Sequence, residues 1–316
     1  MKRLKANITV GQYVFRGVFA ISIESSFDKL MQISTIEINR KVRWQGKNIF
    51  LGESGLLKRG DRVVVESGYS KNTETVFEGY LNAVDTGIPV RLECQDNSYL
   101  LKTNPITKSF ENASLGDVLA EILPQGIEYK NRDVDIGQLR LNNTTPLQVL
   151  DGLKKGYGVY SFFRDGVLYS GLPFWTDYQQ EHVFNFQRNI ISDSELKFRK
   201  KEDIKYKVRY ISIKRDNSRQ QYDAGDDDGL LRTYYAYNAN ITKLKELADA
   251  KLRVLKYDGF TGSFLAFGEP RVQQGDLVNI TDEKYPEKDG RYLVRSVRYV
   301  FGMGGIRQKI EIGEKA

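Results

Sequence analysis

The sequence predicts a mainly β chain, α+β overall, in which two related antiparallel β-barrels (residues 1–105 and 186–316) flank a small inserted α+β domain (residues 106–185). Three observations point there. Short runs rich in Val, Ile, Tyr and Phe recur towards both ends of the chain, cut by Gly, Pro and Asp at the spacing of strands and turns. The strand pattern also repeats. Gly60-Asp61-Arg62-Val63-Val64-Val65 matches Gly275-Asp276-Leu277-Val278-Asn279-Ile280, residues 79–84 echo residues 290–297, and the return strands at 90–94 and 308–312 complete the parallel. Self-similarity of this kind is architectural, and the few residues of difference in spacing fall where hairpin loops tolerate them. Between the copies the composition changes and two apolar helical faces follow one another.

Taken in order, Ile8-Thr9-Val10, residues 18–23 and residues 33–38 alternate in part with period two, as half-buried strands do. Around Phe27-Asp28-Lys29-Leu30-Met31 the chain loops or makes one helical turn, and Thr103-Asn104-Pro105 ends the first barrel. Ser114 is the N-cap of a first helix, with Asp117 in its first turn; Leu115, Val118, Leu119, Ile122 and Leu123 form its apolar face and Pro124 stops it. A second helix opens at Thr145-Pro146 with Gln148 at the capping-box position, buries Leu147, Leu150 and Leu153, and ends at Gly156-Tyr157-Gly158. A hairpin follows, residues 159–163 and Val167-Leu168-Tyr169 joined by Asp165-Gly166.

Strands resume from Phe184, and Ile204, Tyr206, Val208 and Tyr210 alternate with Lys205, Lys207 and Arg209. Residues 216–229 read as a polar, acidic loop. Ile241, Leu244, Ala248, Leu252 and Leu255 share one face of a third helix, about residues 241–257, with Gly259 at its C′ position. Residues 259–312 then supply four strands, with a tight turn at Gly275-Asp276 and a hairpin tip at Gly302-Met303-Gly304-Gly305.

Composition sets bounds. With 19 Tyr, 16 Phe and only 7 Pro in 316 residues, the chain suits ordered β structure. No run approaches the roughly 18 apolar residues of a membrane span, and the basic N-terminus lacks the apolar stretch of a signal peptide, so a soluble protein made in a reducing compartment is expected. The one cysteine, Cys94, falls in a strand and reads as a small buried apolar residue. The single histidine, His182, rules out a His-rich metal site and reads as a surface strand position. Asp226-Asp227-Asp228-Gly229 fails as a calcium loop, because Ala224 and Tyr235 stand where oxygen ligands belong. No catalytic, cofactor-binding or metal-binding motif stands out, so no enzyme, cofactor or metal is expected. Net charge of +7 permits a polyanion partner without demanding one. The residues best placed to face one are Lys205, Lys207 and Arg209, on the cationic face of their strand, although a solvated strand that blunts a sheet edge accounts for them as well.

The order of barrel, helical insert and barrel resembles the baseplate hub proteins of contractile phage tails: late-control and phage Mu-type tail hubs, and the hub part of type VI secretion spike proteins. The resemblance covers most of the chain. It rests on Gly60-Asp61…Gly79-Tyr80-Leu81, on residues 142–158 leading into 159–168, and on Phe267-Gly268-Glu269-Pro270…Gly275-Asp276-Leu277-Val278…Tyr292-Leu293-Val294-Arg295-Ser296-Val297. It implies a homotrimer at the virion tail baseplate, made in the host cytoplasm, whose two barrels per chain form a pseudo-sixfold ring adapting a hexameric tail tube to a trimeric spike. Three chains with two equivalent barrels can present six similar surfaces. The chain runs only four residues past Ile312, so the spike is expected as a separate polypeptide. The resemblance also leaves room for transient contact with DNA or a tape-measure protein in a central channel, and calls for no membrane insertion. Two other classes stay open: a glycan- or receptor-binding module, which the Tyr-rich surface would suit, and an oligonucleotide-binding barrel using the basic strand.

Overall fold

The computed structural model describes residues 3–44, 47–51, 55–69, 72–132, 134–171 and 179–316. One large sheet of 14 strands draws on both ends of the chain. Its main path runs Ile190–Ser192, Gly259–Phe267, Gly305–Lys315, Gly290–Gly302, Val18–Ser26, Ile33–Ile38, Val90–Gln95, Asn72–Asp85, Arg62–Tyr69, Leu4–Val10 and Tyr13–Phe15, with Glu181–Asn185, Leu196–Arg199 and Leu277–Thr281 attached beside it. The halves meet where Val18–Ser26 pairs antiparallel with Gly290–Gly302, from Ser26 opposite Ser296 to Ile21 opposite Phe301.

Period-two patterning decides which side of each strand faces in. In Val90–Gln95, Val90, Leu92 and Cys94 are fully buried while Arg91 and Glu93 are exposed. Two separate cores result. One gathers Ile8, Val10, Ile21, Ile36, Val63, Val65, Leu81 and Leu92; the other gathers Phe184, Phe264, Val278, Ile280, Tyr292, Val294 and Ile310. The first core also takes in Tyr299, Phe301 and Ile306 from the C-terminal hairpin, so the halves are interlocked rather than merely adjacent. In the C-terminal half the pairing runs in a circuit. Glu181–Asn185 lies parallel to Leu277–Thr281, turns, and continues as Ile190–Ser192 against Gly259–Phe267, which leads through Gly305–Lys315 and Gly290–Gly302 back to Leu277–Thr281.

The segment between the halves carries its own core, with Leu115, Val118, Leu119, Leu150, Leu153, Val159 and Leu168 at its centre. Helix α1 (Leu115–Ile122) starts at Ser114 and helix α2 (Pro146–Tyr157) at Thr145, each with a complete capping box, closed by Asp117 and Gln148 respectively. Gly158, in the left-handed region at φ +67°, ends α2. Tyr160–Arg164 and Val167–Gly171 form the expected hairpin, and positive φ at both Asp165 and Gly166 matches the tight turn that such strands favour.

The region after residue 200 departs from expectation. Tyr206–Ile213 does not join the large sheet. It is the central strand of a separate three-stranded sheet, antiparallel to Arg219–Gly225 and parallel to Leu230–Tyr237, so it blunts no edge. Much of the stretch read as an acidic loop is therefore strand, because Tyr222 and Ala224 pack into the small core that the spacing of charges obscured. Helix α3 (Ile241–Leu255) covers this sheet through Ala248 and Leu255, while Ile241 remains half exposed at its first turn. It ends at Lys256, and Gly259 opens the next strand rather than capping the helix.

Candidate interaction surfaces

At its Gly-Asp turns the sequence repeat is matched hydrogen bond for hydrogen bond. Gly60 and Gly275 both adopt positive φ, +92° and +85°, a conformation that favours glycine. Gly60 N donates to Leu81 O, and Leu81 N donates to Asp61 O, both at 2.8 Å. Gly275 N donates to Val294 O, and Val294 N donates to Asp276 O, again at 2.8 Å. The aspartate side chains act alike: Asp61 Oδ2 accepts from Lys58 N at 2.8 Å and Asp276 Oδ2 from Gln273 N at 2.9 Å. Register agrees outward from these turns. Arg62 faces Tyr80 as Leu277 faces Leu293, Leu81 faces Cys94 as Val294 faces Ile312, and Ile36 faces Leu92 as Phe264 faces Ile310. Even the bulge after Leu81 recurs after Val294.

Where the two copies touch, the contact is specific. Arg298 Nε donates to Ser22 Oγ at 3.2 Å and lies 3.5 Å from Glu24 Oε1 across the shared strand pair. Behind it, Tyr299 OH and Ser67 Oγ are 2.7 Å apart in the buried interior, and burial pushes the Tyr299 phenol up to about 12. Arg271 adds two bonds across the halves, to Thr75 O at 2.9 Å and Val76 O at 3.1 Å.

A buried ion cluster fastens the inserted hairpin to the C-terminal copy. Arg164 Nη2 donates to Asp276 Oδ1 at 2.9 Å, and His182 Nε2 lies 3.1 Å from Asp276 Oδ2. Gln180 N completes the set at 3.2 Å. Burial alone would push the Asp276 carboxyl up; the contacts with His182 and Arg164 and the two backbone N–H groups override it and hold the carboxyl below its usual range. His182 is thus no ordinary surface position, since its side chain is 10% exposed and its ring meets a buried carboxylate. Asp276 matches Asp61 in the repeat, but among the described residues only Asp276 has Arg and His partners. Asn97 Nδ2 also donates to Gly166 O at 3.1 Å, so the tip of the inserted hairpin touches the N-terminal copy too.

The three cations singled out by the sequence share a surface, but each sits against an aspartate. Lys205 meets Asp228 at 2.5 Å, Lys207 meets Asp227 at 3.1 Å and Arg209 meets Asp223 at 2.7 Å. The acidic stretch read separately as a loop is what neutralises them. Among the described residues no group of three or more His, Cys, Asp or Glu side chains is placed to hold a metal ion, and no helix is long and apolar enough to cross a membrane. Cys94 is buried and its thiol is pushed up to about 12, chiefly by that burial.

No family model and no curated protein matches this sequence. Solved structures do match. A tail protein from Neisseria meningitidis MC58 superposes with a TM-score of 0.66 at 15% identity, over 99% of this chain and 96% of that one. The 43 kDa tail protein of prophage MuSo2 from Shewanella oneidensis gives 0.64 at 16% identity, over 98% of each chain. The Escherichia coli c3393 protein, a type VI secretion component described as similar to the T4 tail proteins gp27 and gp5, gives 0.59 at 8% identity, over 99% of this chain and 77% of that one. From end to end, the chain has the mainly β fold of phage tail proteins and of this type VI secretion component.

Proposed function

We propose that this chain is a structural hub of a contractile phage tail baseplate or a related injection system. In this reading it forms a homotrimer whose two repeated units per chain make a ring of six similar surfaces, joining a hexameric tube to a trimeric spike. The observation that carries it is the repeat itself, shared in the geometry of its Gly-Asp turns, in the bulge after Leu81 and Val294, and in the register of the strands that follow. A protein that must meet sixfold symmetry on one side and threefold symmetry on the other needs two equivalent units per chain and three chains. The shared fold with tail proteins over their whole length supports the same role and a place in the virion tail. Such a role is mechanical: it asks for a rigid, interlocked body and for no catalysis. Its partners are the tube and spike proteins, and the ion-paired strand of Lys205, Lys207 and Arg209 is the surface to test for any passing polyanion.

Light scattering or native mass spectrometry on the purified protein, alone and with tube and spike proteins, tests the reading. The expected species has three times the 36.3 kDa chain mass. A chain that stays monomeric at high concentration with those partners present overturns it. A monomer that instead binds a glycan array would favour a receptor-binding module.

A further inference from the structure

The repeat exposes two sheet edges that the described strands leave open. Within the chain, the joint uses the strand Val18–Ser26 of the first copy and the far end of Gly290–Gly302 of the second. Each of these has a counterpart in the other copy. Ile190–Ser192 and Leu196–Arg199 stand where Val18–Ser26 stands: Leu196 faces Gly262 as Ile23 faces Ser34, and Ser192 faces Leu265 as Ala20 faces Glu37. Residues 83–85 stand where residues 296–298 stand, with Asp85 facing Arg91 as Arg298 faces Lys309. Among the described strands, residues 83–85 pair only with Val90–Gln95, and the two short strands pair only with Gly259–Phe267. Open edges of this kind are templates for another strand.

We infer that these two edges pair with each other between neighbouring copies of this chain, in the register of the internal joint. The occupant of each edge is thus a second copy, and the contact is heterologous, repeating head to tail. Register makes a specific claim. Glu24 faces Arg298 in the internal joint; its counterpart is Lys197, and the counterpart of Arg298 is Asp85. The pairing therefore sets Lys197 opposite Asp85, an ion pair with its charges exchanged. Both residues are exposed, and among the described residues neither belongs to an ion pair within the chain. Ile88 supports the same contact. It lies three residues past Asp85, as Phe301 lies three past Arg298. Phe301 is buried in the core of the other copy, whereas Ile88 is 83% exposed.

This inference rests on the hub reading for its count of three, and the test separates the two. With Asp85→Cys and Lys197→Cys in one chain, residues directly opposite each other would place Cβ atoms about 4.5–5.5 Å apart, close enough for a disulfide or a short bis-maleimide. The expected result is a covalent ladder that ends at the trimer. Mixing the two single variants should give covalent dimers and stop there, which excludes cross-links within a chain. Cys94 is buried and serves as the unreactive background. Circular dichroism confirms that the variants fold. As a second arm, Asp85→Lys should raise the trimer dissociation constant at least about tenfold through like-charge contact, and adding Lys197→Asp should restore most of it. A wild-type trimer whose double-cysteine variant does not cross-link, and whose charge swap shows no rescue, overturns the edge pairing and leaves the hub reading standing. A wild type that remains monomeric with its partners present, and does not cross-link, overturns both.

Discussion

Arg164 and Asp276 lie 112 positions apart, yet their side chains meet at 2.9 Å with 5% and 1% of their surfaces exposed. An ion pair this deep is held by its geometry, and its breakage is costly because one charge stays buried without a partner. Asp276→Ala should therefore lower stability by about 3–5 kcal/mol. Asp61→Ala removes the matching aspartate of the N-terminal copy, which holds a turn but is only half buried and has no such partners. It should cost about 1 kcal/mol. Urea denaturation of the two variants checks this directly; equal shifts would mean that the cluster fastens nothing.

Asp96 carries the opposite sign. It is buried, accepts from Ser98 N, Ser98 Oγ and Gln32 N, and burial outweighs these bonds to push its carboxyl up to about 7. A carboxylate in the unfolded chain titrates near 3.9. Between about pH 4 and pH 7 the folded state thus holds a proton that the unfolded state has lost, so stability falls as pH rises through that window and levels off above it. Asp276 works the other way: its stabilisation is present above the unfolded carboxylate range and is lost as pH falls through its lowered folded value. Denaturation midpoints from pH 4 to 8 should show the Asp96 slope, and Asp96→Asn should flatten it whatever its effect on absolute stability. A slope that survives in the Asn variant would assign it elsewhere.

Much of this architecture was legible in the chain because it is local. The N-cap at Ser114, the capping box at Thr145, the Asp165-Gly166 turn and the Gly-Asp turns of the repeat are all short-range patterns, and each produces the element it predicts. What escaped was pairing over distance. Nothing in residues 205–209 reveals that Asp223, Asp227 and Asp228 come to lie against their three cations, since that depends on a hairpin read as a loop. His182 reads as superficial beside Glu181, Val183 and Phe184; which side of the strand it takes is defined by Leu277–Thr281 lying parallel to it. The fusion of both copies into one sheet was equally hidden, because strand edges carry no signature of their partners.

Phe301 tests that fusion. It belongs to the C-terminal copy by sequence and sits at the far end of Gly290–Gly302, past the bulge, opposite Ile21. Its ring is 6% exposed and packs in the core of the N-terminal copy with Tyr299 and Ile306. Phe301→Ala should then cost about 3–5 kcal/mol, the usual loss for a buried aromatic together with the cavity it leaves. The location of the damage distinguishes the explanations. If the copies were independent bodies in contact, faster hydrogen exchange would stay within residues 290–308. If Phe301 is part of the N-terminal core, exchange should rise in Val18–Ser26 and Ile33–Ile38, which contribute Ile21, Ile23, Ile36 and Ile38 to the same cluster. Phe184→Ala, in the other core, is the matched control and should leave those two strands protected. Protection of Val18–Ser26 unchanged by Phe301→Ala would show that the hairpin rests on the first core without holding it together.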